Sequence, residues 1–130
     1  MRKKLLLVED NTELLELLRL GLKHAGYAVY TAADGLEALR KARSVKPDVI
    51  VLDLVLPELD GFAVCEALKK DRDTAGTPII VLTGLSSQFT RYVGLEAGAD
   101  EYVTKPVTPS QLVSQIERCL SRPAPEQAKT

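Results

Sequence analysis

Four apolar or β-rich runs in this chain lead directly into residues capable of polar chemistry. Leu5-Leu6-Leu7-Val8 is followed by Glu9-Asp10, and Val49-Ile50-Val51-Leu52 by Asp53. Ile79-Ile80-Val81-Leu82 runs into Thr83, and Tyr102-Val103-Thr104 into Lys105-Pro106. A carboxylate at the mouth of a buried strand is costly to desolvate, so it needs a partner or a task. If the runs are parallel strands, all these groups gather along one sheet edge. Three converging carboxylates repel one another and raise each other's pKa. A hard divalent cation such as Mg2+, which prefers oxygen ligands, relieves that conflict. Thr83 adds a hydroxyl donor and Lys105 a compact positive charge, both suited to an anion with exposed oxygens. Together the groups describe phosphoryl transfer onto a carboxylate. Taken singly, Thr83 reads as a strand-end hydroxyl, Lys105 as a solvated lysine and Tyr102 as a half-buried strand aromatic. Their joint placement reverses those readings.

The elements that must position these residues alternate short β-rich runs with amphipathic helices. Strands are expected at Lys4–Val8, Tyr27–Ala32, Asp48–Asp53, Pro78–Thr83 and Asp100–Thr104. The third and fourth are almost wholly aliphatic, as central strands covered on both faces must be. Helices are expected at Thr12–Ala25, Gly35–Ser44, Gly61–Asp71, Ser87–Ala97 and Pro109–Ser121. Leu14, Leu17, Leu18, Gly21, Leu22 and Ala25 mark the buried face of the first helix, leaving Leu15 and Leu20 off it. Asn11 caps that helix and Gly26 stops it; Thr108-Pro109 opens the last, and Gly98 ends the fourth. Five β/α units fit a flavodoxin-like doubly wound parallel sheet, α/β in class, and by analogy its strand order is 2-1-3-4-5. Residues 1–121 form one domain on this reading, and the Pro-Ala-rich segment 122–130 a disordered tail or the start of a linker.

Composition narrows the classes further. A 130-residue chain with 45% hydrophobic and 27% charged residues is globular and long enough for a real core. Its formal net charge of −1 argues against a free-standing nucleic-acid binder. No stretch could span a bilayer, and Leu5–Val8 is too short for a signal peptide, so the expected location is cytoplasmic. Cys65 and Cys119 lack metal-like spacing and read as small buried hydrophobes. The single histidine, His24, reads as a surface helix residue, leaving little for a serine-type triad.

The ordered set Glu9-Asp10, Asp53, Pro57 with Gly61, Thr83-Gly84, Gly94 to Asp100, Tyr102 and Lys105-Pro106 resembles the response-regulator receiver domain of two-component signalling, from about Arg2 to Leu120. The resemblance implies that Asp53 accepts a phosphoryl group from a phosphohistidine on a sensor histidine kinase or a histidine phosphotransfer protein in a phosphorelay. It implies that Asp10, Asp53 and the backbone carbonyl of Val55 bind Mg2+, with Mn2+ as a possible substitute and Glu9 acting through water. Thr83 and Lys105 would hold the phosphoryl oxygens, Gly84 would leave them room, and the Lys105–Pro106 bond would be cis. Such a domain is a signalling switch rather than an enzyme with a separate substrate, although it catalyses its own phosphorylation and slow dephosphorylation.

The resemblance also implies how phosphate becomes signal: Thr83 moves, and Tyr102 turns inward to alter the face formed by helix 4, strand 5 and helix 5. That face would engage a downstream output protein or domain, and in some members it forms a homodimer. Arg91, Asp100, Glu101, Glu117 and Arg118 suit such a dimer, but Gln111 and Gln115 stand where helix-five charges are expected. Receivers meet their kinase near the first helix, which makes Leu15 the candidate contact. A flavin mononucleotide binder of the same fold class would need a glycine- and hydroxyl-rich loop where Glu9-Asp10-Asn11 stands. An aspartate-nucleophile phosphatase would carry a second acid two residues beyond the nucleophile, where this chain has Val55.

Overall fold

The computed structural model describes residues 2–57, 59–84 and 88–121, and the expected tail at 122–130 lies outside them. Strands β1 (Lys4–Val8), β2 (Ala28–Ala32), β3 (Val49–Leu52), β4 (Ile79–Thr83) and β5 (Glu101–Thr104) alternate with five helices. The helices are α1 (Thr12–His24), α2 (Gly35–Val45), α3 (Gly61–Lys70), α4 (Gln88–Glu96) and α5 (Pro109–Leu120). All strand pairs are parallel and the order is 2-1-3-4-5, as expected. Tyr27, Asp48, Asp53, Pro78 and Asp100, expected inside strands, stand just outside them. Ser87, expected to begin the fourth helix, lies outside the described residues.

The aliphatic runs exist because the sheet is covered on both faces. Alternation along each strand sends Leu6, Val8, Ile50, Leu52, Ile79 and Val81 into a core shared with α2 and α3. Leu5, Leu7, Val49, Val51, Ile80 and Leu82 enter the opposite core with α1 and α5. Both cysteines are buried, and burial pushes the Cys65 thiol up to about 11, so it behaves as a core residue. His24 is exposed, as expected.

Local signals start the helices where the sheet needs them. Asn11, Asp34 and Asp60 each accept from a backbone N–H three residues on, and Thr108 with Gln111 completes a capping box around Pro109. Gly26 and Gly98 take φ values of 107° and 108° at the exits of α1 and α4, where an L side chain is strained. The buried face of α1 departs from expectation. Leu15 is partly buried against the core beside Leu18 and Leu22, whereas Leu17 is 55% exposed. Leu20 is 52% exposed, as expected. Among the described residues, no helix is long and apolar enough to cross a membrane.

Candidate functional site

Three backbone hydrogen bonds carry the sheet one residue beyond its strands. The N–H of Glu9 donates to Ala32 O at 3.0 Å, that of Asp53 to Val8 O at 3.0 Å, and that of Lys105 to Thr83 O at 2.7 Å. Sheet register therefore sets these side chains together at the carboxyl edge, where open α/β sheets hold their ligands. One oxygen from each of Glu9, Asp10 and Asp53 falls within 4.8 Å of the others. Glu9 and Asp53 are buried, while Asp10 is exposed at the mouth.

Lys105 is the cation of this cluster. Its Nζ lies 2.9 Å from Glu9 Oε1 and donates to Asp53 Oδ2 at 3.1 Å. Asp53 Oδ1 accepts from the Val55 N–H, and Glu9 Oε2 from the Asn11 N–H, each at 3.1 Å. Glu9 Oε1 is buried, and the Lys105 ammonium is the cation set against it. Desolvation pushes the Glu9 carboxyl up, against the pull of Lys105. Burial disfavours the Lys105 charge, but Glu9 and Asp53 more than offset it and raise its pKa. An all-oxygen donor set of three converging carboxylates fits a hard divalent cation.

Thr83 is fully buried at the end of β4, in register with Thr104. Among the described residues, a Cβ on Gly84 would meet nothing within 4 Å. The Lys105–Pro106 peptide is cis, as expected. Val55 is exposed two residues beyond Asp53. Gly61 has a packing role that sequence reasoning did not assign. Its N–H donates to Leu54 O at 2.8 Å, and a Cβ there would collide with Asp53 O and Leu54 Cα. Only a residue without a side chain lets α3 begin this close to the loop that follows Asp53.

Tyr102 lies in the core shared with α2 and α3 at 5% exposure, so its ring is already turned inward in this structure. Asp100, expected as a dimer charge, is engaged within the chain. Its Oδ2 accepts from Lys69 Nζ at 3.0 Å and from the Ile79 N–H at 2.8 Å. The Gln111 side chain is likewise used, accepting from the Thr108 N–H at 2.9 Å. The Arg91 side chain lies outside the described residues.

Comparisons with known proteins agree with this geometry. The chain is 44% identical over 122 residues to the alkaline phosphatase synthesis transcriptional regulatory protein PhoP of Bacillus subtilis (strain 168), covering 94% of this chain and 50% of that protein. It spans about half the length of the curated relatives it matches first. Among solved structures, the chemotaxis response regulator CheY4 of Vibrio cholerae superposes with a TM-score of 0.87 at 34% identity, covering 92% of this chain and 99% of that one. The receiver domain of sensor histidine kinase PA1611 from Pseudomonas aeruginosa PAO1, solved with magnesium coordinated in its active-site cleft, superposes with a TM-score of 0.87 at 32% identity. That match covers 94% of this chain and all of the other. The profile of the response regulator receiver domain matches residues 5–117, and this chain therefore belongs to that family.

Proposed function

We propose that this domain is a phospho-accepting switch whose nucleophile is Asp53. The observation that carries this reading is the convergence of Glu9, Asp10 and Asp53 at one sheet edge, bridged by Lys105. An Asp53 oxygen attacks the phosphorus of a phosphohistidine on a histidine kinase or phosphotransfer protein. The phosphorus–nitrogen bond breaks, the imidazole leaves with the electron pair, and an aspartyl phosphate remains. Asp10, Asp53 and the Val55 carbonyl, with Glu9 through water, would hold Mg2+, or Mn2+ in its stead, and the ion would supply charge neutralisation for the transferring group. Lys105 and the Thr83 hydroxyl receive the phosphoryl oxygens, so that Lys105 exchanges its contact with Asp53 for one with the new anion. The same groups favour a slow self-catalysed return by hydrolysis.

Phosphate then biases two states already in equilibrium, through Thr83 and Tyr102, and changes the face of α4, β5 and α5. Tyr92 and Leu95 stand exposed on α4 there, available to an output domain or a second receiver. On the input side, α1 offers Leu15, partly buried against the core, as the kinase contact. The location we infer is the cytoplasm, where a kinase and an output partner of this kind would be met. Because the transcriptional relatives are about twice as long, an output module in the full protein is part of the same reading.

The direct test is modification by acetyl phosphate or beryllofluoride with Mg2+, followed by intact mass and NMR. The wild type should be modified and Asp53→Asn should not. Modification of Asp53→Asn to the same extent would place the acceptor elsewhere. Tyr102→Ala should accept phosphate at the wild-type rate yet lose the change on the α4–β5–α5 face. A normal response in that variant would remove Tyr102 from the switch.

A further inference from the structure

We infer that Gly94, in the last turn of α4, is the seat of the Tyr102 ring and sets the balance between its inward and outward positions. This rests on the reading of Tyr102 as the switch residue. Apart from proline, glycine is the poorest helix former, so one held inside a helix, even two residues from its end, calls for a packing reason. Here the reason is specific. A Cβ on Gly94 would stand 3.2 Å from both Cδ2 and Cε2 of Tyr102, and 3.7 Å from Cε1 of Phe62. Carbon atoms pack at about 3.5–4.0 Å, so an added methyl overlaps the ring and only approaches Phe62. Gly94 itself is buried, which leaves the methyl no other direction.

The ring must give way by a few tenths of an ångström on the side that faces α4, so a methyl there disfavours the buried position it now holds. Gly94 touches none of Glu9, Asp10, Asp53 or Lys105, and the acceptor chemistry does not depend on it. Substitution there should separate transfer from output. A population of inward rings reduced before phosphorylation raises what phosphate must supply to complete the switch.

The test uses the chain labelled with 3-fluorotyrosine, whose four tyrosines give separate 19F signals. Loss of one signal in Tyr102→Phe assigns the switch residue. In Gly94→Ala that signal should move toward the position of exposed Tyr92 and broaden, while Tyr27 and Tyr30 stay in place. Phosphorylation by acetyl phosphate should remain within about twofold of the wild type. A second measurement guards against general loss of folding. In a Tyr102→Ala background the same Gly94→Ala change should raise Tm by a few degrees, because only the helix preference remains. In the wild-type background it should lower Tm or leave it unchanged. An unmoved Tyr102 signal, or equal Tm shifts in both backgrounds, overturns the seat. If instead Tyr102→Ala signals normally while the 19F signal still moves, the switch reading falls and the seat stands.

Discussion

Lys105 Nζ lies 2.9 Å from a Glu9 oxygen and 3.1 Å from an Asp53 oxygen, so the carboxylates suited to a divalent cation already share a monovalent one. A divalent cation bound there would compete with the Lys105 ammonium for the same oxygens. Removing the ammonium leaves two buried carboxylates facing each other, with burial already pushing the Glu9 carboxyl up. In Lys105→Ala we expect unfolding by urea without metal to show a loss of about 2 kcal/mol, below the full cost of breaking a buried pair because Lys105 is partly exposed. Mg2+ affinity, read by calorimetry, should rise several-fold as the competing charge disappears. Phosphorylation should nevertheless slow by about two orders of magnitude, since a donor to the developing phosphoryl charge is gone. Tighter metal with slower transfer separates stabilising the transferring group from recruiting the metal. Weaker metal binding in the variant would assign Lys105 to recruitment instead.

At the scale of elements, α1 and α5 pack on one face of the sheet, and a glycine of α1 stands against the first residue of α5. A Cβ on Gly21 would overlap Cβ of Pro109 and stand 2.9 Å from its Cγ. Alanine is preferred over glycine in a helix by about 1 kcal/mol, yet overpacking costs about 1–3 kcal/mol. Gly21→Ala should therefore be destabilising on balance, with a lower urea midpoint and an unchanged m-value; a stabilised variant would mean that α5 shifts freely. Pro109 and its capping residue Thr108 were legible in the sequence, because caps are local chemistry. So were the central strands, since Val49–Leu52 and Ile79–Leu82 are apolar on both faces. The phase of α1 was not. Its leucines at 14, 15, 17, 18, 20 and 22 support more than one stripe, and at roughly 100° per residue Leu17 and Leu15 fall on opposite sides of Leu18. Only the position of α5 decides which side is covered. The acidic cluster and Lys105 could be foreseen from strand ends, but the packing roles of Gly61 and Gly94 could not. Neither glycine takes a positive φ, and what excludes a side chain at each is a neighbour distant in sequence.

For the whole molecule, the sheet separates two jobs onto opposite edges. The carboxyl edge carries the acceptor cluster, while the amino edge is closed by Asp100 and Lys69. Lys69 Nζ donates to Thr77 O at 2.8 Å as well as to Asp100, and the Asp100 carboxylate accepts the Ile79 N–H, so one ion pair ties the end of α3 to the entries of β4 and β5. Strand β5 spans both edges, with Asp100 just before it and Lys105 just after it. Its far end is held independently by the Lys105 N–H to Thr83 O bond, so loosening the amino edge need not displace the lysine. Asp100 is 34% exposed at its side chain, which limits the ion pair's share, but the Ile79 N–H would lose its acceptor. Asp100→Ala should then cost about 1–2 kcal/mol in chemical denaturation. Phosphorylation of Asp53 by acetyl phosphate should stay within about twofold of the wild type, as expected of a tie that acts on stability alone. A comparable fall in both would mean that the two edges are coupled through β5, and that a charge sequence reasoning assigned to dimerisation instead positions the phosphorylation site from across the sheet.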